Sequence, residues 1–241
     1  MTDGWYLTCL PAGAARHPAT LPSGAEWTPA IVPGTAAPAL IRAGMPVPDL
    51  DRQDVWYRCS LPPGPRGRRL RFNGLATLTE AWLDDVPLLV GDSMFVAQER
   101  PMPQGTEGGA TLHLRFRALE SPKGLPRARW RPKLAEPGFL RGIRTTLLGR
   151  MPGSAPAPAP VGPYGGVDLL MPRGDLPRFG RARIATQLDS AGTGHLSVRL
   201  PILEGDLPQA SACVVQVGGR TAPLTRSGNV LEGEIALPRI A

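Results

Sequence analysis

Carboxylates placed beside aromatic side chains are the first candidates for chemistry in this sequence. Asp49, Asp51 and Asp54 crowd ahead of Trp56 and Tyr57, and Glu80 lies two positions before Trp82. Carboxylates can trade protons or accept hydrogen bonds from hydroxyls, and aromatic rings can stack on a sugar face. The same pattern also describes a turn that leads into a buried aromatic strand, which is the simpler reading. Other signatures are missing. Both lysines follow proline, so no phosphate-cradling G-x-x-x-x-G-K exists. Neither Ser93 nor Ser154 has the glycine flanks of a nucleophile elbow. His17, His113 and His195 are isolated, so no paired-histidine metal site is expected. Gly162-Pro163-Tyr164-Gly165-Gly166 reads as a turn, because Pro163 removes an amide that a phosphate loop would need. No catalytic residue, metal or cofactor is predicted.

The elements that must position these residues are strands. Period-two alternation runs through 69–73, 111–117, 181–184 and 196–200. Further strands are read at Thr77 to Leu83, Val86 to Val90, Val214 to Val217 and Val230 to Leu237, with a turn at Asp84-Asp85. On the four best-defined strands arginine takes the outward positions, which makes it the solvated face of antiparallel sheets. His113 and His195 also fall at exposed strand positions. Pro137 and Gly138 break the helical spacing of 132–148 and limit it to one or two turns. Met151 to Pro163 is rich in proline and alanine and reads as a polyproline-like surface loop. A second break at 171–177 sets a domain boundary near residue 172. About five strands are counted after it.

Composition removes several classes. The chain has 241 residues, 29 glycines and 29 prolines, with 42% hydrophobic residues, enough for a folded core. No apolar run is long enough for a membrane-spanning helix. The net charge is +7, yet only Lys123 and Lys133 among 27 basic residues are lysine. That bias fits a GC-rich coding sequence better than a nucleic-acid surface. The best nucleic-acid candidates are Arg66-Gly67-Arg68-Arg69 and Arg127-Ala128-Arg129-Trp130-Arg131, the second with an interleaved aromatic. Cys9, Cys59 and Cys213 are odd in number and far apart, so neither a disulfide framework nor a zinc site is expected. The acidic start, Met1-Thr2-Asp3-Gly4, lacks a signal-peptide pattern, and a cytoplasmic location is expected.

A series of blocks carries a family resemblance. Ile31-Val32-Pro33-Gly34-Thr35 is followed by Pro48-Asp49-Leu50-Asp51-Arg52-Gln53-Asp54-Val55-Trp56-Tyr57-Arg58. Then come Phe72 to Thr77, Glu80 to Asp85, Asp92-Ser93-Met94-Phe95-Val96, Arg144 to Gly153, and Val161-Gly162-Pro163-Tyr164. In this order they resemble the opening region of family 2 glycoside hydrolases of the β-mannosidase type. The resemblance implies an all-β chain: a galactose-binding-like jelly roll over residues 1–171 and a partial immunoglobulin-like sandwich over 172–241. In the family a TIM barrel follows and holds the two catalytic glutamates. The resemblance therefore implies a non-catalytic, substrate-supporting module, inactive alone, whose partner is a catalytic barrel in cis or trans.

The family also lends the active site a sugar contact from a Trp-Asp-Trp-Gly-Pro segment. Counted from Arg144, that segment falls on Pro152-Gly153-Ser154-Ala155-Pro156, where only the last proline matches. A later aromatic-Arg pair becomes Tyr164-Gly165. A second reading is a stand-alone module for β-mannoside-type carbohydrate, with Trp130, Arg131 and Tyr164 as contacts. The alternative role for those three is packing against the barrel. An immunoglobulin-type sandwich needs about seven strands. A shortfall in the second domain would leave unpaired edges and favour self-association.

Overall fold

The computed structural model describes residues 4–120, 140, 142–172, 177–205, 207 and 213–237. It is an all-β chain of antiparallel sheets, divided into two compact units, Met1–Pro172 and Arg173–Ala241. No described helix is long and apolar enough to cross a membrane.

Unit 1 is built on a six-stranded sheet. Its strands are β1 (Trp5–Pro11), β2 (Thr28–Ala30), β3 (Gln53–Leu61), β5 (Thr79–Leu83), β6 (Val86–Gly91) and β8 (Ala110–Phe116), in the order β2-β1-β3-β8-β5-β6. A three-stranded sheet has the order β7-β4-β9, from β4 (Arg69–Phe72), β7 (Gln98–Pro101) and β9 (Val167–Leu170). Alternation decides the packing, because successive side chains leave a strand on opposite faces. Val55, Tyr57, Cys59 and Leu61 of β3 point inward with Leu112, Leu114 and Phe116 of β8, and meet Leu70 and Phe72 of β4 in one core. Each such fully buried large apolar side chain contributes roughly 1.5–3 kcal/mol. The one α-helix among the described residues, α1 (Ala36–Arg42), lays Ala36, Ala37, Ala39 and Leu40 onto the same core.

The outward face of the larger sheet is covered as well. Trp56 stacks on Trp82 with ring centroids 5.4 Å apart, and Ala15, Leu21 and Trp27 of the β1–β2 connection close over the pair. This cover corrects two expectations. Arg115 belongs to the outward row of β8, yet it is buried, and it donates to Asp54 at 2.6 and 3.0 Å and to Glu80 at 2.9 Å. His113, also on that row, is half-buried, and desolvation pushes its imidazole below the usual histidine range. Alternation assigns a face but does not say what lies on it.

Unit 2 has seven described strands where about five were counted. They are β10 (Arg178–Phe179), β11 (Arg183–Leu188), β12 (Gly194–Glu204), β13 (Val214–Val217), β14 (Arg220–Pro223), β15 (Thr225–Ser227) and β16 (Val230–Leu237). β10, β14 and β15 are too short to show alternation. β12 is the central strand, paired with β16 on one edge and with β11 and then β10 on the other. β13 and β14 form a separate hairpin. The described buried apolar residues of this unit are Val198, Ile202, Leu231 and Ile235.

Candidate functional site

A groove of about 740 Å³ lies within unit 1. Its floor is an ion pair that links two separate blocks of the resemblance. Arg150 forks onto Asp51, with Nε 2.7 Å from Oδ2 and Nη2 2.8 Å from Oδ1. Both side chains are almost wholly buried. Arg150 also donates to the Thr146 carbonyl at 2.8 Å. Two parallel charge-assisted bonds fix position as well as distance.

The rim comes from the turn ahead of β3. Asp51 N donates to Asp49 Oδ1 at 3.1 Å and Arg52 N to the Asp49 carbonyl at 3.1 Å, which makes a tight aspartate-capped turn. That turn puts the exposed Arg52 guanidinium between two carboxylates. It pairs with Asp49 at 3.4 Å and hydrogen-bonds Glu120, whose own amide donates to the Asp51 carbonyl at 3.0 Å. The Glu120 hydrogen bond holds Arg52 above its ordinary basicity.

The wall is the proline-rich segment. Met151 and Ala155 exchange backbone hydrogen bonds at 2.9 and 2.8 Å, which folds 151–155 into a closed turn. Gly149 has φ +72, and a Cβ there would stand 2.2 Å from the Pro158 carbonyl, so only glycine admits this approach. Pro152, Pro156 and Pro158 line the groove together with Val47, Pro48 and Leu50. Apolar walls with a rim of carboxylates and one guanidinium suit a polyol: ring faces meet the walls and hydroxyls meet the charges. Among the described residues no His, Cys, Asp or Glu cluster forms a metal site.

Of the three candidate contacts, only Tyr164 falls among the described residues. Trp130 and Arg131 lie outside the described residues. Tyr164 is elsewhere in unit 1. Its hydroxyl donates to the Met94 carbonyl at 2.6 Å, and its ring sits against Gly74, where a Cβ would come within 2.7 Å. The hydroxyl hydrogen is therefore spent on backbone. Phe95 and Val96, next to Met94, remain exposed. Asp54, the third of the aspartate cluster, accepts from Gly13 N, Ala118 N and both Arg115 donors. It is a structural hub. Glu120 and Arg150 were missed. Glu120 has no neighbouring signal, and Arg150 meets Asp51 across 99 positions. The first basic run is internally committed too: Arg66 to Glu107, Arg68 to the Pro62 and Thr106 carbonyls, Arg69 to Glu99.

The recognised blocks do converge. Ala76 bridges Gly162, Ser93 bridges Arg144, and Ala36 N donates to the Val161 carbonyl at 2.8 Å. Neither a protein-family model nor a curated protein sequence matches the chain. Solved structures do. A β-D-mannosidase from Dictyoglomus thermophilum matches 98% of this chain over 31% of its own, at 18% identity and a TM-score of 0.61. The chain shares its fold with part of a glycosidase. β-Glucuronidase 3 of Bacteroides uniformis matches 98% of this chain over 30% of its own, at 17% identity and a TM-score of 0.56. A GH2 β-galacturonidase from Eisenbergiella tayi matches 99% over 36% of its own, at 12% identity and a TM-score of 0.52. This chain thus spans about a third of the length of the structures it matches.

Proposed function

We propose that the chain is a non-catalytic module of a β-mannosidase-like glycoside hydrolase. In this reading residues 1–171 form a galactose-binding-like jelly roll and residues 172–241 a partial immunoglobulin-like sandwich. Its partners are a catalytic barrel in cis or trans, a β-mannoside-type carbohydrate, and a second copy of the chain through unit 2. A cytoplasmic setting suits the three free cysteines.

The observation that carries the reading is the groove. Its wall, Pro152 to Pro156, is the segment where the resemblance puts a sugar contact, and its rim supplies Asp49, Arg52 and Glu120 in place of the missing tryptophans and aspartate. Fold similarity over nearly the whole chain supports it. All of the described lining residues belong to unit 1, which favours a second reading, carbohydrate binding by the chain alone.

Calorimetric titration with manno-oligosaccharides separates the two. Binding by the 241-residue chain, with about tenfold or greater loss in Glu120→Gln and Asp49→Asn variants that keep wild-type circular dichroism, supports stand-alone binding. No binding, together with restored β-mannosidase activity when a barrel-bearing partner is added, supports the supporting role. Turnover of an aryl β-mannoside by the pure chain overturns both. Trp130→Ala, Arg131→Ala and Tyr164→Phe test the remaining proposed contacts in the same titration.

A further inference from the structure

We infer, building on the self-association through unit 2 proposed above, that β11 is a pairing edge for a second copy of this chain. Among the described residues β11 hydrogen-bonds only to β12, so its other edge is open. All six of its residues are exposed, with Ile184 at 64% and Leu188 at 78%.

Apart from the four-residue β13, the other described edge strands carry guards. Pro29 interrupts β2, Pro87 interrupts β6, Asp168 sits in β9, Arg226 in β15, and β7 contains Glu99, Arg100 and Pro101. Charge and proline at an edge prevent strand addition. The run Ile184-Ala185-Thr186-Gln187-Leu188 has neither. It is the longest unguarded edge among the described strands, and its β-branched residues suit a pleated ladder.

The sequence of the strand selects the occupant. An antiparallel copy centred on Thr186 places Thr186 opposite itself. Ile184 then faces the partner's Leu188, and Arg183 faces the partner's Asp189. One register thus satisfies the apolar pair and the charge pair on both sides of the two-fold axis, as a self-complementary interface requires. A six-residue strand is about 20 Å long and buries less than a standard interface. The dimer is therefore weak and concentration-dependent.

Sedimentation velocity of the full chain over a hundredfold concentration range tests this, with hydrogen exchange read at β11. The expected result is a monomer–dimer equilibrium in which β11 amides become protected as dimer forms. Arg183→Glu sets like charges opposite Asp189 and weakens the dimer about tenfold or more. Adding Ala185→Glu with Gln187→Lys restores it, because in this register each new carboxylate faces the partner's new ammonium. A chain that stays monomeric at every concentration overturns the inference, including the case where β11 is protected throughout by another segment of the same chain. So does a dimer indifferent to Arg183→Glu, or one that the paired substitutions fail to restore.

Discussion

Asp51 and Arg150 show what one side chain does for the groove. Removing one partner of a buried ion pair leaves an uncompensated charge, which costs about 3–5 kcal/mol. Asp51→Ala is expected to lower unit 1 stability by that amount in urea denaturation, and Asp51→Leu with Arg150→Met to recover most of it. A loss below about 1 kcal/mol would mean that the pair does not hold the floor. The aspartate turn was legible because it sits directly ahead of an aromatic strand. Its arginine was not, because a contact across 99 positions leaves no local trace. Arg115 was misjudged for a related reason. Its outward position was right, but the cover of Ala15, Leu21 and Trp27 comes from a different part of the chain.

At the scale of the element, the β11–β12 hairpin carries a titratable clasp. Asp189 accepts the Ala191 and Thr193 amides and closes the turn. His195 sets one ring nitrogen 3.3 Å from Asp189 and the other 3.0 Å from Glu234 of β16. Gln187 of β11 and Ala236 of β16 flank it in the ladder, and Arg220 donates to the Ala236 carbonyl. The Asp189 and Glu234 bonds raise the imidazole above its ordinary 6.5, and the Thr193 amide with His195 lowers the Asp189 carboxyl below 3.8. A raised histidine contributes fully below 6.5 and loses its contribution as pH climbs through the raised value. A lowered carboxyl contributes above 3.8 and loses its contribution as pH falls through the lowered value. The hairpin is thus expected to be firmest between about pH 4 and 6.5 and to loosen above it. Hydrogen exchange of β11 at pH 5 and pH 8 measures this, and His195→Gln should flatten the difference. The long strands were legible because alternation survives in a single sequence. The short strands β10, β14 and β15 of unit 2 were not, because one or two alternations are indistinguishable from loop.

Across the whole molecule the cores are unequal. Unit 1 closes two sheets and a helix over a continuous apolar cluster, whereas the described core of unit 2 is Val198, Ile202, Leu231 and Ile235. Stability follows buried apolar area. Amides of β12 and β16 are therefore expected to exchange at lower denaturant concentration than those of β3 and β8, and equal thresholds would contradict the difference. The all-β class was readable from alternation, and the resemblance from blocks that prove to be spatial neighbours. The groove was not readable, because its wall is a proline-rich turn whose function lies in shape rather than residue chemistry.

The Trp56–Trp82 stack has a practical side. All five tryptophans and all three tyrosines fall before residue 172. Two indoles 5.4 Å apart form a coupled chromophore, so near-ultraviolet dichroism and intrinsic emission report on unit 1. Unit 2 has Phe179 as its sole Phe, Tyr or Trp and is silent to tryptophan emission. A melt followed by tryptophan would register one transition and miss the loss of β11, β12 and β16 altogether.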